Sequence, residues 1–287
     1  MTQNKKYDSM VKDKNNLGCD LMKPFLKWAG GKYKSIDKIK SILPNSSRLV
    51  EPFCGSCAVS LNIDYDNYLL TDFNQDLINL YKILVSENQY FINYTKLFFT
   101  EENRTPEKYY ELRELFNKTK NISLKSALFV YLNRHGFNGL CRYNSKGLYN
   151  VPIGSYKTIY FPEPEMKNFA DKLKNAEFIH QSFEKTLQQA NKNDVVYCDP
   201  PYVPLNTKSS FTSYTEYGFG LDAQKYLANL ANNYYDKGYK IFISNHDTEL
   251  TQSLYKKSSI KSFDVRRMIS ANSTKRGFAP ELIACYN

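Results

Sequence analysis

Residues 194–204 read DVVYCDPPYVP, and this stretch decides the fold class. Val195, Val196, Tyr197 and Cys198 form a short unbroken apolar run, the composition of a strand covered on both faces of its sheet. Pro200 and Pro201 have no N–H to give a ladder, so the chain has to leave the sheet there in a stiff, extended course. That leaves Asp199 at the carboxyl end of a central strand, the edge at which open α/β sheets bind ligands. Taken by itself, DPPY also reads as a turn that does no more than end a strand.

Working outward, the same design recurs. RLVEPFCGSCAVSLN (48–62) reads as a strand, a tight turn at Gly55 and the start of a helix. YLLTDFNQDLINLYKIL (68–84) reads as a strand ending at Asp72, then a helix with Leu77, Leu80, Tyr81 and Leu84 turned inward. Successive βα units imply a largely parallel sheet. Ahead of them, Ile36, Ile39, Ile42 and Leu43 share one helical face. Residues 224–247 add another unit, and 260–287 read as two strands flanking a basic loop at Lys275 and Arg276, an antiparallel hairpin that closes the sheet.

Between 75 and 162 the βα rhythm stops, and it returns only at AEFIHQSF (176–183). The expected organisation is a polar, flexible tail at 1–20, an α/β domain in two parts at 21–74 and 163–287, and a mainly helical domain inserted at 75–162.

The chain carries 39 Lys and Arg against 29 Asp and Glu, a net charge of +10 that favours a polyanionic partner such as nucleic acid. The bias is local. Residues 115–162 hold no acid, whereas Lys118, Lys120, Lys125, Arg134, Arg142, Lys146 and Lys157 are cationic and interleaved with Tyr, Phe and Asn. A solvated face normally mixes signs, so the stretch points to phosphates and bases, with a chance basic face as the alternative. No window approaches the ~18 apolar residues of a membrane span, and the polar N-terminus lacks the apolar stretch of a signal peptide, so a cytoplasmic protein is expected. Six scattered cysteines suit a reducing compartment. CGSC (54–57) has no second ligand pair at workable spacing, so no metal is expected.

The glycine turn before Asp72 suits a nucleotide-like ligand: backbone approaches closely and the acid takes ribose hydroxyls. No full GxGxxG is present, which favours an adenosine without phosphates over a pyrophosphate cofactor. WAGGKYKS fails as a phosphate loop, with Tyr33 where Ser or Thr would hold magnesium. At DPPY, the Asp199 carboxylate and the Pro200 carbonyl could each accept one N–H of a nucleobase amine. Its ring-delocalised lone pair is then left for an electrophile, while Tyr202 stacks on the base.

Taken together, FLKWAGGKY (25–33), LVEPF (49–53), VYLNRHGFNGLCRYN (130–144), NVP (150–152), YFPE (160–163), VVYCDPPY (195–202), FTSY (211–214) and FISNHDT (242–248) closely resemble the Dam family of DNA adenine-N6 methyltransferases. The resemblance runs from about Lys23 to Tyr286. It implies a Rossmann-like methyltransferase whose insert, 75–162, is the target-recognition domain, and S-adenosyl-L-methionine as cofactor. Trp28, Lys32, Asp72 and Asp199 would line the cofactor site, with Glu51, Phe53 and Gly55 in the same motif. Asp199, Pro200, Pro201 and Tyr202 would form the pocket for a flipped adenine.

For double-stranded DNA, the resemblance puts Lys27 on a guanine at one edge of a GATC target, Leu140 and Arg142 on base edges at the other, and Phe137 in the stack, with Asn138 among the DNA-binding residues. Pro152 and Tyr156 join them, and Arg113, Arg134 and Asn144 match backbone-contact positions. From the residues alone, packing is the preferred reading of Trp28, Phe137 and Leu140, and solvated charge that of Lys27 and Arg113; only Arg142 reads as a base contact without the resemblance. The chain departs from the family in three places: Cys57 replaces a usual glycine and puts a β-carbon beside backbone that faces the cofactor, Phe137 stands where tyrosine is common, and Ser155 stands where a base could hold phosphate. The expected enzyme is a monomer with no obligatory protein partner, cytoplasmic and associated with the nucleoid through DNA. The rival readings are an RNA or protein-amide methyltransferase and a DNA-binding protein whose methyl transfer has decayed.

Overall fold

The computed structural model describes residues 21–205, 219–266 and 278–287. The tail at 1–20, the FTSY stretch and the basic loop with Lys275 and Arg276 lie outside the described residues. Within them one sheet is formed by β1 (Arg48–Glu51), β2 (Asn67–Asp72), β3 (Ala176–His180), β4 (Val195–Cys198), β5 (Lys240–His246), β6 (Ser259–Arg266) and β7 (Phe278–Tyr286). Their spatial order is β3-β2-β1-β4-β5-β7-β6. The first five strands are parallel, and β7 runs antiparallel between β5 and β6, so the mostly parallel sheet with a terminal hairpin is present as expected.

The reason β4 is apolar throughout is now visible. Side chains alternate across a strand. Val195 and Tyr197 enter one core layer with Phe25, Leu80 and Tyr81, while Val196 and Cys198 enter the other with Leu187, Leu227 and Ala231. Helices supply both covers: α1 (Ile36–Ile42), α2 (Ala58–Asn62), α3 (Gln75–Glu87) and α7 (Glu163–Lys172) belong to the first layer, α8 (Phe183–Gln189) and α9 (Leu221–Tyr235) to the second. The inward set read for α3 holds, with Leu77, Leu80, Tyr81 and Leu84 all at 0% exposure.

Residues 75–162 are mainly helical, as their lost βα rhythm predicts. Three helices follow α3: α4 (Gln89–Lys96), α5 (Pro106–Lys118) and α6 (Ile122–His135). The apolar SALFVYL stretch forms the middle of α6, and residues 127–132 are buried on every side by α3, α4 and α5. Strand order reverses between β1 and β4, since β2 and β3 follow to one side and β5 to the other. The loops leaving β1, β2, β4 and β5 therefore gather along one edge, at the reversal of strand order where doubly wound sheets take ligands.

Candidate active site and nucleic-acid face

At the end of β4 the two prolines carry the chain out of the sheet, and the Asp199 carboxylate is held from two directions. Lys32 Nζ lies 2.9 Å from Oδ1, and Ser244 of β5 donates to the same oxygen at 2.8 Å. Oδ2 accepts no hydrogen bond among the described residues, and 20% of the Asp199 side chain is exposed. Gln224 donates to the Pro201 carbonyl at 2.6 Å, whereas the Pro200 carbonyl has no donor among the described residues. Asp199 Oδ2 and the carbonyl of the next residue are thus both without a donor among the described residues, on a backbone that two prolines stiffen.

Tyr202 forms the next wall. Its hydroxyl donates to Glu281 Oε2 on β7 at 3.2 Å, its edge meets His246 with centroids 4.8 Å apart, and Lys32 Nζ sits 4.5 Å over its ring. Burial pushes the Tyr202 phenol well above its ordinary range, so it stays a donor. Asn245 accepts from Val203 N and holds the loop after the prolines in place.

The β1 and β2 ends build the neighbouring compartment. Gly55 adopts φ +45°, its N–H donates to Asp72 Oδ2 at 3.1 Å, and its carbonyl accepts from Tyr81 at 2.5 Å. An added β-carbon at Gly55 would stand 2.8 Å from Trp28 Nε1, so the glycine is needed for both torsion and contact. Asp72 Oδ1 accepts from Asn74 N, and Asn74 in turn caps α3 through Leu77 N. Phe53 stacks on Phe183 at 5.4 Å and meets Phe219 edge-on, while Phe73 stands 78% exposed beside Asp72.

Glu51 is fully buried beneath this loop and bonded to Ser60 N at 3.0 Å; burial pushes its carboxyl up to about 8. Cys57, in the left-handed region at φ 57°, is also completely buried among apolar neighbours, so the substituted residue turns its side chain into the core. Among the described residues no group of three or more His, Cys, Asp and Glu is placed to hold a metal, and no helix is long and apolar enough to cross a membrane.

The recognition candidates form a second cluster on the insert. A short 3-10 turn, Phe137–Gly139, follows α6, and its Phe137 N–H donates to the Pro152 carbonyl at 2.8 Å. Gly136 pairs with Ile153, and Tyr156 donates to Gly136 O at 3.0 Å. Lys27 Nζ lies 4.0 Å over the Tyr156 ring. Lys27, Phe137, Asn138, Leu140, Pro152 and Tyr156 are thereby brought together, with Phe137 49% exposed and Asn138 exposed at φ 53°.

Arg142 and Asn144 lie on the adjoining hairpin, where Tyr149 donates to Leu140 O and Tyr143 pairs with Tyr149. Asn150 accepts from Arg142 Nε at 2.9 Å, and the Asn144 side chain accepts from Lys146 N and Leu148 N within the turn. Arg113 and Arg134 do not join the cluster through their side chains. Arg113 donates to Val151 O, and Arg134 to Phe25 O and Tyr160 O.

A family model, D12 class N6 adenine-specific DNA methyltransferase, matches residues 28–269. The DNA adenine methylase of Vibrio cholerae serotype O1 is 46% identical over 263 residues, covering 91% of this chain and 95% of that protein. Those of Escherichia coli K12 (45% over 262 residues, 91% and 94%) and Haemophilus influenzae (46% over 267 residues, 92% and 93%) are similar to it along the same extent. The chain belongs to this family. It is an adenine-specific DNA methyltransferase.

Several neighbours of Asp199 in the methyltransferase went unread in the sequence. Ser244 and Glu281 come from β5 and β7, far along the chain from Asp199; Ser244 stands within FISNHDT (242–248), but nothing local marks either as a neighbour of Asp199. Strand register does: Cys198 pairs with Ile243, which puts Asp199 and Ser244 level, and His246 pairs with Glu281. Phe73 and Phe183 carry a simpler signal, a large aromatic residue just past a strand end.

Proposed function

We propose that the methyltransferase moves the methyl group of S-adenosyl-L-methionine to N6 of an adenine everted from duplex DNA, within GATC, using residues 75–162 as its target-recognition domain. The observation that carries this reading is the acceptor pair: Asp199 Oδ2 and the Pro200 carbonyl, neither with a donor among the described residues, at the mouth of the sheet.

The residues present fit the methyl donor. Each oxygen of Asp72 accepts one backbone N–H and keeps a further lone pair for a ribose hydroxyl. Gly55, with no β-carbon, lets the Trp28 indole pack directly against the loop that leads to Asp72, and Phe53 and Phe73 offer aromatic faces for a purine. Trp28, Lys32, Glu51, Phe53, Gly55, Asp72 and Asp199 are the residues that would hold it. Bound there, S-adenosylmethionine supplies an electrophilic methyl group whose departure neutralises a sulfonium charge.

The chain's own part is placement. Asp199 and Pro200 each accept one N–H of the adenine amine, which localises its lone pair, and Tyr202 gives the base a stacking face. Lys32 and Ser244 fix the other carboxylate oxygen, so Oδ2 is aimed rather than free to rotate. No strong base is required, because the surplus proton leaves after transfer. Phe137 stands as a wedge that offsets the few kcal/mol of unstacking. Lys27 and Arg142 read bases from either side of it, and Arg113 and Arg134, with five N–H donors each, keep several for phosphate.

Incubation with isotopically labelled S-adenosylmethionine and duplexes with or without GATC tests this reading. Label is expected only in N6-methyladenine of GATC duplexes. Label in RNA or protein, or binding of duplex DNA without any transfer, would overturn it.

A further inference from the structure

Asn133 is 1% exposed in the last turn of α6, directly after the buried apolar run 127–132, and its side-chain amide is fully used. Oδ1 accepts from Lys27 N at 2.9 Å, while Nδ2 donates to Lys27 O at 2.8 Å and to Gly139 O at 3.0 Å. The orientation of the amide is set by its partners, since the backbone N–H only donates and the two carbonyls only accept. One side chain therefore grips both backbone polar groups of Lys27, 106 residues away, and the Gly139 carbonyl of the turn that carries Phe137 and Asn138.

Gly139 completes the arrangement. At φ +63° it presents no side chain, and a β-carbon there would stand 2.3 Å from Lys27 Cβ. Lys27 is thus laid along the turn itself and reaches over Tyr156, while the next residue, Trp28, packs on Gly55 in the cofactor loop.

We propose that Asn133 is a positioning residue that sets the register between Lys27 and the 137–140 turn. Choice of base at the Lys27 edge of the target then depends on a residue that touches no DNA. The proposal rests on the reading of Lys27 and this turn as base-contacting elements. Asn133→Asp keeps an acceptor for Lys27 N–H and turns the two donors into an acceptor facing two carbonyls. Gly139→Ala leaves Asn133 intact and displaces Lys27 by crowding.

The test compares kcat/KM on a GATC duplex with that on duplexes bearing each single base-pair change, for wild type, Asn133→Asp, Gly139→Ala, Lys27→Met and Arg142→Ala, with a melting curve for each protein. Expected is a ~10-fold or greater loss of discrimination at the position that Lys27→Met also relaxes, in both Asn133→Asp and Gly139→Ala, with the Arg142 position unaffected. A uniform fall across all duplexes makes Asn133 a support of the fold only and overturns the proposal. Unchanged ratios in a folded Asn133→Asp do the same. If Asn133→Asp melts below the assay temperature, Gly139→Ala decides by the same comparison. Should Lys27→Met leave every ratio unchanged, the reading of Lys27 fails and the inference with it. Should Lys27→Met relax one position while the other two variants do not, the register role alone is lost.

Discussion

Lys32 Nζ lies 2.9 Å from Asp199 Oδ1 and 4.5 Å over the ring of Tyr202, so one ammonium touches both ends of the DPPY stretch. It reaches there from the N-terminal segment, with its side chain 7% exposed. The contact balances the carboxylate's charge in a partly desolvated site and confines it to one orientation. The same cation lies against a face of Tyr202, which couples the placement of the Asp199 carboxylate to that of the Tyr202 ring.

From the proposed role of Asp199 follows a separation of binding from transfer. Asp199→Ala removes one of two acceptors and the anchor of Lys32 without altering the 137–156 cluster. Methyl transfer is expected to fall by at least ~10²-fold while duplex affinity stays near wild type. A labelled-methyl assay paired with a mobility-shift titration checks this, and persistent turnover would remove Asp199 from the chemistry.

Tyr202 allows its ring and its hydroxyl to be told apart. Tyr202→Phe keeps the stacking face and loses the bond to Glu281, for an expected cost of ~1–3 kcal/mol at most. Tyr202→Ala loses the face itself, and base stacking on an aromatic ring is worth ~1–3 kcal/mol on top of the anchor. Single-turnover rates should therefore order as wild type, then Phe, then Ala. Equal rates for Phe and Ala would mean that only the hydroxyl matters.

Reading from sequence succeeded where one element holds the whole signal. The run at 195–198 has to be doubly covered because all four residues are apolar, and the prolines have to end it. Leu77, Leu80, Tyr81 and Leu84 share one face of a single helix. Ser244 and Glu281 could not be seen in that way, because they meet the site only through the pairing of β4 with β5 and β5 with β7. Asn133 follows directly on the apolar run 127–132, and an amide at the end of such a run is a legible signal of a buried polar contact. Arg113 and Arg134 show a different limit: the sequence carries their charge, whereas the carbonyls of Val151, Phe25 and Tyr160 that they brace emerge only when the insert folds.

Arg142 is held by Asn150, so its fork is aimed before any duplex arrives. Arg142→Ala is expected to loosen base choice at one position by ~1–3 kcal/mol. Asn150→Ala should relax the same position by a smaller amount, since the guanidinium remains but is no longer oriented. Competition between duplexes differing at one base pair measures both. An equal loss of affinity on every duplex would make Arg142 a phosphate contact.

Glu51 predicts the pH dependence of stability. Burial raises its carboxyl from the ordinary 4.5 to about 8, so between those values the folded protein keeps a proton that the unfolded chain has released. Stability from this group is therefore complete below pH 4.5, declines as pH rises, and is lost above about 8, with a slope of ~1.4 kcal/mol per pH unit in that window. Glu51→Gln keeps an oxygen for the Ser60 N–H and cannot ionise. The difference in unfolding free energy, variant minus wild type, isolates this group from other titrations, and it should climb steadily from pH 5 to pH 8 and then level. Denaturant unfolding at a series of pH values measures it. A flat difference would show that Glu51 enters the fold as a carboxylate, solvated or paired in a way that its burial against Ser60 does not provide.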